Sequence, residues 1–260
     1  MTRRHLTFKC AGETVVGTLD EAPGKVGLLI VSGGNITRNG AFAGMSRLAA
    51  RMAERGYPVF RFDRRGVGDS SGYNAGYEGS SLDIERALAQ FRREWPGLRS
   101  VVAFGNCDAA SALMLGNGFG CDGLVLANPW TFDNDGSEEH TPGAIKSRYM
   151  RKLRDPRELQ RLVTGKVRLR KVARSVRRAL RGDTTTTHLG EDMADGLASY
   201  RGDVLILLAG RDRTAQAFRT NYPLAEENVM ICPGADHAFS EPEHADWMTD
   251  KIAAMLAAQD

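Results

Sequence analysis

Six short apolar runs recur along a chain of 260 residues, and each stops at glycine, proline or a polar residue. They are VGLLIVSGG (26–34), YPVFRFD (57–63), SVVAFG (100–105), GLVLANP (123–129), VLILLAG (204–210) and NVMICPG (228–234). Runs of this length and composition suit strands buried on both faces, a condition met in parallel sheets covered by helices. Between them, apolar residues at helical spacing predict helices over 41–55 (Phe42, Met45, Leu48, Ala49 and Met52), 78–94 (Leu88 and Phe91), 107–117 and 241–257 (Trp247, Ile252, Met255 and Leu256). Residues 5–10 and 14–19 alternate about the turn AGE and read as an antiparallel hairpin. The expected fold is α/β, a mostly parallel doubly wound sheet led by that hairpin.

One interval breaks the alternation. Between the strands at 123–129 and 204–210 no segment reads as a strand, and Leu169, Val172, Val176 and Leu180 recur at helical spacing. We read residues 134–199 as an inserted helical cap, with 1–133 and 200–260 forming the core. Charge is concentrated in the insertion: residues 146–181 hold 15 Lys/Arg against Asp155 and Glu158, a net +13, leaving −10 elsewhere for the overall +3. A basic surface of this kind would draw phosphates, an acidic carrier protein or an anionic glycan or lipid headgroup, or be a solvated face balanced by acids elsewhere. It lacks the interleaved aromatics and recognition motifs of a nucleic-acid reader. No apolar stretch is long enough to cross a bilayer, and MTRRHLTFKC lacks the apolar core of a secretory signal, so a cytoplasmic address is expected. The four cysteines are singly spaced, as thiols in a reducing compartment are. Cys10, Cys121 and Cys232 read as small core residues.

Open parallel sheets gather reactive groups where strands end, so the exits carry the functional reading. At GNCDA (105–109) a strand, a sharp turn and a helix start place Cys107 at the bend, with Gly105 leaving room for the helix. By itself the pattern also fits a packing cysteine. Asp212 in GRDRT follows the run at 204–210 and reads either as a turn or helix-cap residue or as the carboxylate that orients an imidazole. His237 lies in PGADHAF, after the last strand. Nucleophile, acid and histidine then occur in the order used by α/β-hydrolases. His188 and His244 are rival histidines that do not directly follow a late strand, and Asp236 is too close in sequence to His237 to face it. His140 beside Glu138 and Glu139 is a faint metal pattern; no metal or cofactor is expected.

SGGNITRNG (32–40) follows the third expected strand, and its glycines allow backbone N–H groups to approach a developing oxyanion. Gly34, Asn35 and the N–H of Asp108 are the candidate oxyanion donors; Gly33, Asn106 and Arg38 are the candidate substrate contacts. FDRRGVGDSSG (62–72) reads as structural, its glycines permitting a tight turn.

Over its whole length the sequence resembles α/β-hydrolases. More narrowly, GGNITRNGAF, FDRRGVGDSSG, GNCDAAS, GRDRTAQAF and ADHAFS resemble the type 1 hydrolases associated with exosortase A systems, which accompany exopolysaccharide biosynthesis in Gram-negative bacteria and carry cysteine at the elbow. The resemblance implies a Cys107, His237, Asp212 triad. A thiolate leaves more readily than a serine alkoxide, so thioesters and activated esters suit such a nucleophile better than amides. The expected activity is therefore acyl ester or thioester hydrolysis, with coenzyme A or an acyl carrier protein as possible partners of the basic segment. Acyl transfer to a glycan or small acceptor, and a non-catalytic scaffold role, are the alternatives.

Overall fold

The computed structural model describes residues 2–132, 188–222 and 228–260. Strands β1 (Thr2–Cys10) and β2 (Glu13–Glu21) form the expected hairpin, followed by β3 (Val26–Val31), β4 (Val59–Phe62), β5 (Ser100–Asn106), β6 (Gly123–Ala127), β7 (Asp203–Ala209) and β8 (Val229–Cys232). The described α-helices are α1 (Gly44–Glu54), α2 (Ser81–Glu94), α3 (Asp108–Leu115), α4 (His188–Leu197), α5 (Arg213–Asn221) and α6 (Pro242–Ala258). The expected cap lies outside the described residues as far as 187. Its last part forms α4, which packs on α3 and shares one compact unit with the sheet. Among the described residues no helix is long and apolar enough to cross a membrane.

The eight strands lie in the order β1-β2-β4-β3-β5-β6-β7-β8. β2 runs antiparallel to β4, and every pair from β4 to β8 is parallel. Side chains on a strand alternate between faces, and here both faces are apolar. Leu29, Val31, Phe60, Val101, Ala103, Leu124 and Leu126 pack with α2, α3, α4 and α5 on one side. Leu28, Ile30, Val59, Val102, Phe104 and Val125 pack with α1 and α6 on the other. In α2, Ile84, Ala87, Leu88 and Phe91 are buried at the i, i+3, i+4, i+7 positions that form one helical stripe. Phe42, expected on the core face of the first helix, is instead 79% exposed. That helix begins only at Gly44, and Phe42 sits in the preceding turn at φ 51°.

The chain leaves β3 to form β4 on one side, then crosses to form β5 on the other. This reversal opens a crevice at the carboxyl ends of β3 and β5, where open α/β sheets bind ligands. Val31 pairs with Gly105, so the exit loops of both strands begin at the same level. The β3 exit loop is also tied back to β4. Arg61 is buried in β4, pairs with Asp20 at 3.2 Å, and donates to the Arg38 carbonyl at 3.0 Å and to Asn39 Oδ1 at 3.1 Å. Asp20, with no exposed surface, also accepts from Arg3 Nε at 2.5 Å. Removing one member of a buried pair strands the other charge. Asp20→Ala is expected to lower the urea-measured unfolding free energy by about 3–5 kcal/mol; a loss below about 1 kcal/mol, the range of exposed pairs, would show that Arg61 is satisfied without it.

Candidate active site

The turn after β5 carries the most constrained residue of the crevice. Cys107 has φ 62° and ψ −129°, a conformation that costs a non-glycine residue about 1–3 kcal/mol and persists only when its surroundings impose it. Here they do. The Cys107 N–H donates to the Ala127 carbonyl at 3.0 Å, and the Cys107 carbonyl accepts from the N–H groups of Ala110 at 3.0 Å and Ser111 at 3.3 Å. A side chain at Gly105 would meet the backbone of Ala109 and Ala110 at 2.9 Å, so only glycine lets α3 pass this close to β5. The thiol is half-buried at the start of α3, whereas Cys10, Cys121 and Cys232 are buried free thiols. Burial pushes the thiols of Cys10 and Cys121 up to about 12, and raises that of Cys232.

His237 and Asp212 meet at this turn. His237 Nδ1 lies 2.9 Å from Asp212 Oδ2. The hydrogen bond to Asp212, and next the approach of the Cys107 side chain to the ring, raise the His237 pKa from 6.5 to about 10 against the opposing effect of burial. Burial pushes the Asp212 carboxyl up, but the hydrogen bond and charge of His237 and the N–H groups of Ala215 and Thr214 outweigh it, leaving Asp212 below the usual carboxylate range. Both sequence readings of Asp212 hold at once: the same carboxylate caps α5, accepting from the Ala215 N–H at 3.1 Å, and holds the imidazole. Asp236 shapes the histidine loop instead, accepting from the N–H groups of Ala238 at 3.2 Å and Ser240 at 2.9 Å. His244 lies on α6 beside Glu241 and Glu243, at 3.8 and 3.5 Å. The side chains of His188 and of Glu138, Glu139 and His140 fall outside the described residues.

The β3 exit loop packs against the Cys107 turn. A side chain at Gly33 would lie 2.5 Å from Asp108 Oδ1 and 2.7 Å from the Asn106 carbonyl. The Gly34 N–H, expected to be an open oxyanion donor, instead donates to Asp108 Oδ1 at 2.7 Å. The cause is simple: the residue after Cys107 has a carboxylate just long enough to reach it. Arg64, 2% exposed, donates to the Gly34 carbonyl and lies 3.6 Å from Asp108 Oδ2. The N–H groups of Asn35 and Asp108 meet no hydrogen-bond acceptor among the described residues. Arg38 and Asn106, the other expected substrate contacts, are both engaged by acceptors inside the fold. Arg38 donates to Asp63, to Asp69 Oδ2 at 2.9 Å and to Thr18 Oγ1 at 3.1 Å, and Asn106 donates to the His237 carbonyl at 3.0 Å. Asp63 and Arg64 of FDRRGVGDSSG are buried, and Asp63 accepts from the Arg38 N–H, which ties this stretch to the loop. Sequence reasoning missed Asn128, which also reaches the His237 carbonyl, at 3.1 Å.

A family model described as "Alpha/beta hydrolase family" matches residues 28–250. No curated protein matches the chain. Similar solved structures include the alpha/beta hydrolase GrgF from Penicillium sp. sh18, 14% identical over 98% of each chain with a TM-score of 0.66. The Pyrococcus furiosus esterase Pf2001 is 14% identical over 99% of this chain and 92% of that one, with a TM-score of 0.63. Est1E from Butyrivibrio proteoclasticus, solved with ferulic acid, is 13% identical over 97% and 99%, with a TM-score of 0.62. At these identities the structural likenesses bear on the fold alone.

The raised His237 pKa carries a sign for stability. A group that gains protons on folding stabilises fully below its unfolded value of 6.5 and loses that contribution as pH rises through about 10. The depressed Asp212 works oppositely, losing its contribution as pH falls through its folded value. The difference in unfolding free energy between the parent and Asp212→Asn, followed by urea titration, is therefore expected to be largest near pH 6 and to shrink toward pH 10; a difference that stays level over this range would mean that the pair is uncoupled.

Proposed function

The chain belongs to the alpha/beta hydrolase family, and we propose that it cleaves acyl esters or thioesters through Cys107, with His237 and Asp212 as its proton carrier and orienting carboxylate. The observation that carries this reading is the strained turn that lifts Cys107 toward an imidazole already held by a carboxylate. The sulfur attacks the acyl carbon as the thiolate, with the proton on His237. The carbon–sulfur bond forms, the bond to the leaving oxygen or sulfur breaks, and the imidazolium protonates the departing group. Water then attacks the acyl-enzyme, giving its proton to the neutral imidazole as the thiolate leaves.

The N–H groups of Asp108 and Asn35 supply the oxyanion donors, and Gly34 joins them once Asp108 Oδ1 withdraws. Arg64 can receive that carboxylate: it already lies 3.6 Å away, and its Nη1 has no hydrogen-bond partner among the described residues. The basic segment at 146–181 favours an anionic carrier such as coenzyme A or an acyl carrier protein as the leaving group. The likeness of the motifs to exosortase-associated hydrolases supports a place in exopolysaccharide biosynthesis.

Intact mass spectrometry after mixing with acyl-coenzyme A and p-nitrophenyl esters tests the nucleophile. The parent is expected to gain one acyl mass, mapped to Cys107, and Cys107→Ala to gain none; equal labelling of both proteins would remove Cys107 from the mechanism. Acylation that resolves only when an acceptor hydroxyl is added would point to transfer, and absence of any adduct or turnover to a scaffold. Acylation by acyl-coenzyme A is expected to weaken with salt more than acylation by a neutral ester. Asp108→Ala frees the Gly34 N–H and removes a negative charge from beside the developing oxyanion, so kcat/KM is expected to rise several-fold, up to about tenfold for 1.4 kcal/mol. A fall would show that the carboxylate serves chiefly to hold the loop.

A further inference from the structure

Asn128 follows β6 and is completely buried, at φ 41° and directly before Pro129. A positive φ is uncommon outside glycine, though asparagine tolerates it better than most, and such a conformation marks a position whose surroundings dictate it. The side chain supplies the reason. Asn128 Oδ1 accepts from the Ala209 N–H at 2.8 Å. This fixes the amide orientation, so Nδ2 faces two acceptors, the His237 carbonyl at 3.1 Å and Asn106 Oδ1 at 3.2 Å. Asn106 Nδ2 donates to the same His237 carbonyl at 3.0 Å.

Each contact ends beside a member of the proposed triad. Asn106 precedes Cys107. The Ala209 carbonyl accepts from the Asp212 N–H at 3.1 Å, setting the turn that presents the carboxylate. The third contact is His237 itself. The backbone completes the set, since the Asn128 N–H donates to the Leu207 carbonyl at 2.9 Å and the preceding Ala127 carbonyl receives the Cys107 N–H at 3.0 Å.

We propose that Asn128 is a positioning residue whose one amide sets the β5, β7 and histidine-loop exits in register, so that His237 meets Cys107 and Asp212 together. This rests on the triad reading above. An apolar side chain of similar size would fill the volume, leave the Ala209 N–H without its side-chain acceptor and leave the His237 carbonyl to Asn106 alone. The amide is required because this point needs one acceptor and two donated contacts within a single planar group. Asn128 touches neither substrate nor the reacting sulfur; it acts through His237.

The test is the rate of Cys107 alkylation by iodoacetamide in the full chain between pH 5 and 10, located by peptide mass spectrometry, with the unfolding midpoint recorded for each protein. Asn128→Gly suits the positive φ and removes the amide. Asn128→Asp keeps the acceptor for Ala209 but turns an acceptor toward the His237 carbonyl and Asn106 Oδ1. Both are expected to shift the pH profile toward that of His237→Ala and to slow alkylation near neutrality by about 10- to 100-fold, the order that small misplacements of reacting groups cost. A folded variant of either kind that keeps the parent profile overturns the proposal. Should both fail to fold, Asn106→Ala removes the β5 arm of the network while sparing the Asn128 bonds to Ala209 and His237, and an unchanged profile there overturns the claim that the Asn128 amide sets the β5 exit. If the parent and His237→Ala share one profile, the triad reading fails first, an outcome separable from the failure of Asn128 alone.

Discussion

The register between β3 and β5 is the constraint on which the crevice depends. Their parallel pairing, Val31 opposite Gly105, brings two exit loops from opposite sides of the chain reversal to the same height. The loops then touch so closely that a methyl group at Gly33 would overlap Asp108 and Asn106. A one-residue slip would turn every strand side chain to the opposite face and undo its packing against the helices that cover both faces. The geometry around Cys107 is thus held by the burial of residues such as Leu29, Ile30, Ala103 and Phe104, far from any chemistry.

The parts that were legible in the sequence are those written locally. Short apolar runs ending at glycine or proline announce doubly covered strands, and Gly105 before Cys107 announces a crowded bend. The order of cysteine, aspartate and histidine along the chain is visible too. What escaped depends on partners distant in sequence. Arg38 beside a glycine loop reads as a substrate contact, and nothing local shows that Asp63 and Asp69 fold against it. The helix α5 escaped because only Thr214, Ala215 and Phe218 are buried along it, too sparse a stripe to show a period. Asn128 before Pro129 reads as an ordinary strand stop, and nothing local reveals that its amide spans to residues 209 and 237.

Economy of polar groups runs through the crevice. Asp212 serves one helix end and one imidazole, the His237 carbonyl gathers two amides, and Asn128 binds two strand ends and one loop. Each group at these strand ends lies where the ladder stops supplying partners, and a buried polar group left unmatched costs about 1–3 kcal/mol. Satisfying several with one side chain leaves little freedom to drift. Rigidity near Cys107 therefore follows from the same requirement that stabilises the fold.

Asp108 shows where this economy meets function. In the proposed reaction, an N–H aimed at the developing oxyanion is a donor without an acceptor in the resting protein; at Gly34 the Asp108 carboxylate occupies that N–H. A carboxylate is a strong acceptor, and a charge-assisted bond of this kind is worth about 1.5–3 kcal/mol, so its release must be offset elsewhere. The nearby guanidinium of Arg64 is the group able to do so, being almost wholly buried and incompletely partnered among the described residues. In the proposed reaction, an acyl group that excludes water from the crevice would strengthen a low-dielectric pair between them and so favour the opening of the donor.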